Sequence, residues 1–182
     1  KVKYEINSEE FATYNLVEKL TNEGINISID ESRKSFDHGV WNVLAMLYEE
    51  LKIPVLQISL SSSYSFKQLL DFGEKLKIFK NEAMIICSGG ITHNLGDMGY
   101  SNSVKPYANE FNKKIKEIIE NSKIDALLEI DKDINFYKNH PSSEHFLPLF
   151  IAIGSAINKK GKSFNSEFVY SNISMESFIF DE

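Results

Sequence analysis

The chain has 182 residues, 26 acidic against 20 basic, for a formal charge of −6 at pH 7; at about 150 residues per domain this predicts a single domain over residues 1–182. An acidic chain whose one arginine is Arg33 suits neither nucleic-acid phosphates nor a membrane, since no apolar run nears the roughly 18 residues of a span. With 42% hydrophobic and 25% charged residues it has the balance of a domain with a real core, and a single cysteine, Cys87, with no signal-peptide pattern points to a reducing cytoplasm.

Apolar periodicity alternates between two kinds of segment. Ser8-Glu9-Glu10-Phe11 reads as a helix start with Ser8 as cap and acids in the first turn. Phe11, Leu16, Val17 and Leu20 continue it toward Gly24. Ile25, Ile27 and Ile29 alternate as a strand does, residues 41–51 are helical, and Pro54 introduces a strand over 55–60. A helix is predicted over 66–79. The continuous apolar run 83–87, stopped by Ser88-Gly89-Gly90, has the pattern of a central strand buried on both faces. Helices are predicted over 107–119, 124–130 and 144–157. Residues 167–170 and 174–180 alternate like paired strands around Ser171-Asn172. Strand and helix in alternation predict an α/β fold, a mixed or largely parallel sheet flanked by helices.

The four histidines all fall beside Gly, Pro, Asn or Asp. His38 lies in Asp37-His38-Gly39, His93 in Thr92-His93-Asn94, and His140 and His145 bracket Pro141-Ser142-Ser143-Glu144. His93 follows the apolar run at the carboxyl end of a predicted strand, where ligands bind in open α/β sheets, and Gly89-Gly90 lets the backbone turn and a ligand approach. Bland readings stand beside these. A lone loop histidine is more often a hydrogen-bonded structural residue, His140 before Pro141 can simply shape a turn, and Cys87 in a buried strand reads as an inert thiol. No G-x-S-x-G elbow and no zinc-finger or H-E-x-x-H spacing is present.

Four ordered segments carry a resemblance: Asp37-His38-Gly39-Val40-Trp41 with Val43-Leu44; Ile53-Pro54-Val55-Leu56-Gln57-Ile58-Ser59; Ser88-Gly89-Gly90-Ile91-Thr92-His93-Asn94-Leu95; and Pro141-Ser142-Ser143-Glu144-His145-Phe146-Leu147-Pro148-Leu149. Together they resemble the class III extradiol ring-cleavage dioxygenases (the LigB superfamily), in the 4,5-DOPA dioxygenase-like branch. The resemblance implies an enzyme that uses a non-haem metal to insert O₂ into a catechol-type substrate. It makes His145 a metal ligand and His93 either a further ligand or the base that takes a catechol proton. His38 becomes a second proton-handling group. Asn94 is assigned to orienting His93 or a substrate oxygen, and His140 to a supporting, substrate-side role. Fe(II) is the expected catalytic metal, with Zn(II) as an alternative occupant because histidine sites hold zinc more tightly.

The chain departs from the family pattern at its start. Family members carry two more metal histidines, in an N-terminal His-Gly turn and a Ser-x-His-Trp turn, and neither motif occurs here, so the resemblance maps the chain to the C-terminal two-thirds of such a domain. Expected partners are a small aromatic diol and O₂, with no nucleic acid and no membrane; a homo-oligomer or a complementing N-terminal chain are both left open. A second class also stays open, a LigB-like binding or scaffold protein without catalysis, because a fold does not guarantee a reaction.

Overall fold

The computed structural model describes residues 4–180 and divides the chain into two compact units, residues 1–60 and 61–182. In the first unit, α1 spans Glu10–Asn22 and α2 spans His38–Leu47. Glu9, not Ser8, caps α1: the helix starts one residue later, and the Glu9 carboxylate accepts the Ala12 N–H at 3.0 Å. The side chain of Phe11, counted above in the apolar stripe, lies outside the described residues. Gly24, at φ 80, ends the helix with its N–H on the Thr21 carbonyl, a conformation a side chain would resist. The second helix begins three residues before its expected start because the Asp37 carbonyl accepts from both Val40 and Trp41. It stops at Leu47, ahead of Glu49 and Glu50, whose charges the negative end of a helix disfavours. The Tyr4 hydroxyl donates to the Leu44 carbonyl at 3.1 Å, tying the start of the chain to α2.

The second unit is built on α3 (Phe66–Leu76), α4 (Pro106–Glu120), the short α5 (Ile124–Leu128) and α6 (Phe136–Asn139), and α7 (Pro148–Ser155). Both α4 and α7 start with proline at a position where the missing N–H costs nothing. For α7 this overturns the expected start at Glu144. Residues 143–147 instead form a turn in which the Phe146 and Leu147 N–H groups share the Ser143 carbonyl, so His145 sits on a turn and not on a helix.

Helix α3 carries a full capping box at Ser65 and Gln68. Such boxes satisfy two otherwise unpaired backbone groups, and Ser65→Ala is expected to lower stability by about 1 kcal/mol, read as a shift in the urea midpoint. At its other end Glu74 faces Lys77, 2.6 Å away in the chain's own next turn, and Lys159. Partial burial opposes ionisation of Glu74, but the two ammonium groups outweigh it and hold the carboxyl below its ordinary 4.5. A depressed carboxyl stabilises the fold above the unfolded value and loses that contribution as pH falls through the folded one. The melting temperature should therefore drop below about pH 4.5, and less steeply in Glu74→Gln.

The core of this unit is aromatic. Phe66 stacks on Phe150 at 4.4 Å, and Phe111, Phe136 and Phe146 meet edge-on or tilted around His140. Helix α4 contributes Phe111, Ile115, Ile118 and Ile119 at the three- and four-residue spacing of a buried stripe. Helices α3 and α7 approach closely where Gly73 faces Gly154: a Cβ on either would fall within 3 Å of the other's Cα.

The expected sheet is the main difference. Among the described residues the ladders are two antiparallel pairs: β1 (Lys162–Asn165) with β4 (Ser177–Ile179), and β2 (Phe168–Val169) with β3 (Ile173–Ser174). The pairing of β2 with β3 agrees with the predicted turn at Ser171-Asn172, whereas 177–179 pairs with 162–165, upstream of the expected strand. Residues 25–29, 55–60 and 83–87 enter no ladder, so no parallel pair is present among the described residues. Nor is the run 83–87 buried on both faces, since Met84 is 64% and Ile86 42% exposed. Apolar alternation marks a face that can be buried; a strand also needs a neighbour to satisfy its N–H and C=O groups. Cys87, read as lying in a buried strand, is half-buried outside any strand, while burial still pushes its thiol up to about 12 and so keeps it protonated. No helix of the described residues is long and apolar enough to cross a membrane.

Candidate active site

Residues 88–94 form a loop anchored residue by residue to the rest of the second unit. Gly89 has no room for a side chain: a Cβ would lie 2.3 Å from the His145 carbonyl oxygen and 3.3 Å from Pro148. The Gly90 N–H donates to that same carbonyl at 2.8 Å. The glycine pair thus seats the His145 turn against the loop, a more specific job than the free turning expected of it. The Ile91 carbonyl accepts from His140 Nε2 at 2.8 Å. The His93 N–H donates to the Asn139 carbonyl at 2.9 Å, and the Asn94 side-chain amide donates to the Lys138 carbonyl at 2.8 Å.

This anchoring brings together His93 and His145, fifty-two positions apart in sequence. Their rings stack with centroids 3.6 Å apart and planes 12° from parallel. His93 is half-buried, and His145 is 45% exposed at its side chain, with Glu144 3.6 Å from its Nδ1. Burial, then the neighbouring His145, hold the His93 imidazole below its ordinary pKa, partly offset by Glu144. The Glu144 carboxyl is itself held down, first by the Ser142 hydroxyl that donates to it at 2.7 Å. The pair is therefore a half-buried imidazole whose neutral form is favoured, stacked on a partly exposed one with a carboxylate beside it.

His140 supports the loop and stands apart from the partly exposed pair. It is fully buried among Phe111, Phe136 and Phe146. Because a carbonyl can only accept, its Nε2 carries the proton, and burial pushes its pKa down to about 4. The substrate-side role the resemblance suggested meets a ring with no exposed surface. Asn94 is half-buried with its amide already given to Lys138. His38 lies in the first unit, exposed at the start of α2 with its ring edge-on to Trp41 at 5.5 Å.

Sequence reasoning missed Thr92, Asn139 and Asn172, three buried polar residues that hold the loop. Thr92 stood inside a quoted motif, but nothing in the pattern marked its hydroxyl as inward. An open depression of about 290 Å³ lies elsewhere, lined by Tyr100, Phe168 and Tyr170 among others and by none of the histidines. Two of its serine hydroxyls are spent locally, Ser171 on the Ser101 carbonyl and Ser101 on Ser103.

Dioxygenases of the family suggested above use a non-haem metal, and the described residues can be tested against one. No group of three or more His, Cys, Asp or Glu placed so that it could hold a metal ion is found among them. Two imidazoles in nearly parallel planes also aim their lone pairs side by side, whereas ligands of one ion must converge on it in the ring planes. The described residues do not by themselves fit a metal site.

A family model described as the catalytic LigB subunit of aromatic ring-opening dioxygenase matches residues 1–180. The chain is 30% identical over 140 residues to the 4,5-DOPA dioxygenase extradiol of Escherichia coli K12, across 72% of this chain and 51% of that protein. It is 33% identical over 154 residues to the protein of the same name from Portulaca grandiflora, across 78% and 52%. The crystal structure of an uncharacterised Escherichia coli K12 protein superposes with a TM-score of 0.84 at 26% identity, over 98% of this chain and 75% of that one. The chain spans about half the length of the curated relatives it matches.

Proposed function

Because the chain belongs to the LigB family of aromatic ring-opening dioxygenases, we propose that it supplies the proton-handling imidazoles of an extradiol ring-opening site. The observation that supports this reading is the stacked His93–His145 pair, assembled from two loops and partly open to solvent. The substrate class is a small vicinal aromatic diol, and DOPA, the compound in the relatives' names, is the first to try.

His93 is the general base. Its lowered pKa keeps the ring neutral near pH 7, and a neutral imidazole can take a phenolic proton at a pH where the diol itself is mostly un-ionised. The proton is held at the ring nitrogen that faces the diol, and His145 with Glu144 receives the electrostatic consequence. The neighbouring His145 ring, 3.6 Å away centroid to centroid, adds to burial in disfavouring the charged form of His93. A base whose charged form is disfavoured gives the proton back readily, which suits a group that must return it later. His38 is given no step in this reading, and no step is routed through a metal.

The test is oxygen consumption. Protein completed with the N-terminal metal histidines that the resemblance expects, incubated anaerobically with Fe(II) and then given a catechol, should take up O₂ and yield a ring-opened product with matching stoichiometry. Absence of uptake across DOPA and simpler catechols would sink the catalytic reading and favour the second one, a LigB-like binding protein. One observation speaks for that second reading, the lack among the described residues of any three donors arranged to hold a metal ion.

A further inference from the structure

We propose that Asn172 is the positioning residue for His93, a role that rests on reading the His93–His145 pair as the working site. Asn172 ties both neighbours of His93 at once. Its backbone carbonyl accepts the Thr92 hydroxyl at 2.7 Å, and its side-chain amide donates to the Asn94 carbonyl at 2.8 Å. The residue before and the residue after the imidazole are thus held by one amino acid, almost eighty positions downstream. With the His93 N–H on the Asn139 carbonyl, the backbone that sets the ring's direction is held at His93 and at the residues on either side of it.

The local chain is shaped for this. Tyr170 and Ser171 are consecutive residues with left-handed backbone, φ 51 and 65, and the turn they make carries Asn172 inward to 1% exposure. Ser174, two residues on, gives its N–H to the Thr92 hydroxyl at 2.7 Å, so that oxygen both donates and accepts. The orientation of the Asn172 amide follows from its partner, because a carbonyl demands a donor. That same Nδ2 lies 3.2 Å from the Tyr107 hydroxyl, while Oδ1 finds no partner among the described residues. An interior amide used only through its N–H₂ is poorly explained by packing, which an apolar side chain would serve without stranding an acceptor. It is well explained by the need for a donor at Asn94.

The experiment reads the imidazoles directly and needs no turnover. In chelator-treated protein labelled with ¹³C,¹⁵N-histidine, each ring of the stack lies in the other's shielding zone, so the His93 and His145 ring protons resonate upfield. Asn172→Asp exchanges the donor for a second acceptor facing the Asn94 carbonyl, and Asn172→Leu removes it. Both should lose the upfield shifts of His93 and His145 while the buried His140 signals stay in place. Thr92→Val should do the same, and Thr92→Ser, which keeps the hydroxyl, should restore them. Tyr107→Phe, which removes only the hydroxyl beside the amide, should leave them unchanged. A folded Asn172→Leu protein with the stack signature intact overturns the proposal. If that variant does not fold, the threonine pair decides, and loss of the signature in Thr92→Ser equal to that in Thr92→Val overturns it as well. A wild-type protein that shows the upfield pair yet never consumes oxygen refutes the proposed reaction alone.

Discussion

Replacing His93 with alanine is expected to lower the rate of catechol ring opening by about a hundredfold or more, the usual contribution of a positioned base. The size follows from what the side chain does and not from what it packs against. The ring is half-buried against His145, and its removal leaves the backbone anchors at Asn139 and Asn172 in place. Stability should therefore change little while turnover collapses. His93→Gln separates the roles further. Glutamine keeps a polar side chain but cannot take a proton at neutral pH, so its rate should fall as far as that of alanine. The sign of the pH dependence is also set. The group must be neutral to act, and its pKa lies below the ordinary 6.5, so the acid limb of kcat/KM in the parent protein should sit below that pH. A glutamine variant that retains most of the rate would show that His93 is not the base.

Adding one methyl group at Gly154 is the second large effect. The new Cβ would lie 2.2 Å from the Leu70 carbonyl oxygen and 2.9 Å from the Gly73 Cα. Both are backbone atoms, so no flexible side chain can swing away, and α3 and α7 must separate. Separation loosens the Phe66–Phe150 stack that closes the aromatic core. Gly154→Ala is expected to cost about 3 kcal/mol, at the upper end for overpacking. The direction is diagnostic because helix propensity alone favours alanine over glycine by about 1 kcal/mol. A urea midpoint equal to or above the parent's would mean the helices do not meet at these glycines. Since α7 follows directly from the His145 turn, the same variant should also weaken ring opening.

Much of the helical framework was legible from residue order. Phe66, Leu69, Phe72 and Leu76 recur at the spacing of one buried helix face, and α3 formed there. The stripe of Phe111, Ile115 and Ile118 did the same for α4. Boundaries went astray where a single backbone bond decided them, as at Glu9, or where proline outweighed the apolar run, as at Pro148. The run Ala83–Cys87 misled for a different reason: its composition is that of a buried strand, but nothing local states which segment lies alongside.

By itself the sequence determined the helix faces and the family and pointed to all four histidines, because periodicity and short motifs are written in neighbouring residues. The tertiary structure alone decided that His93 stacks on His145, that His140 is a fully buried support, and that Asn172 grips the loop between Thr92 and Asn94. Those facts depend on hydrogen bonds and packing between residues some fifty to eighty positions apart. Such partners are chosen by how the whole unit closes, and no local pattern of polarity records them.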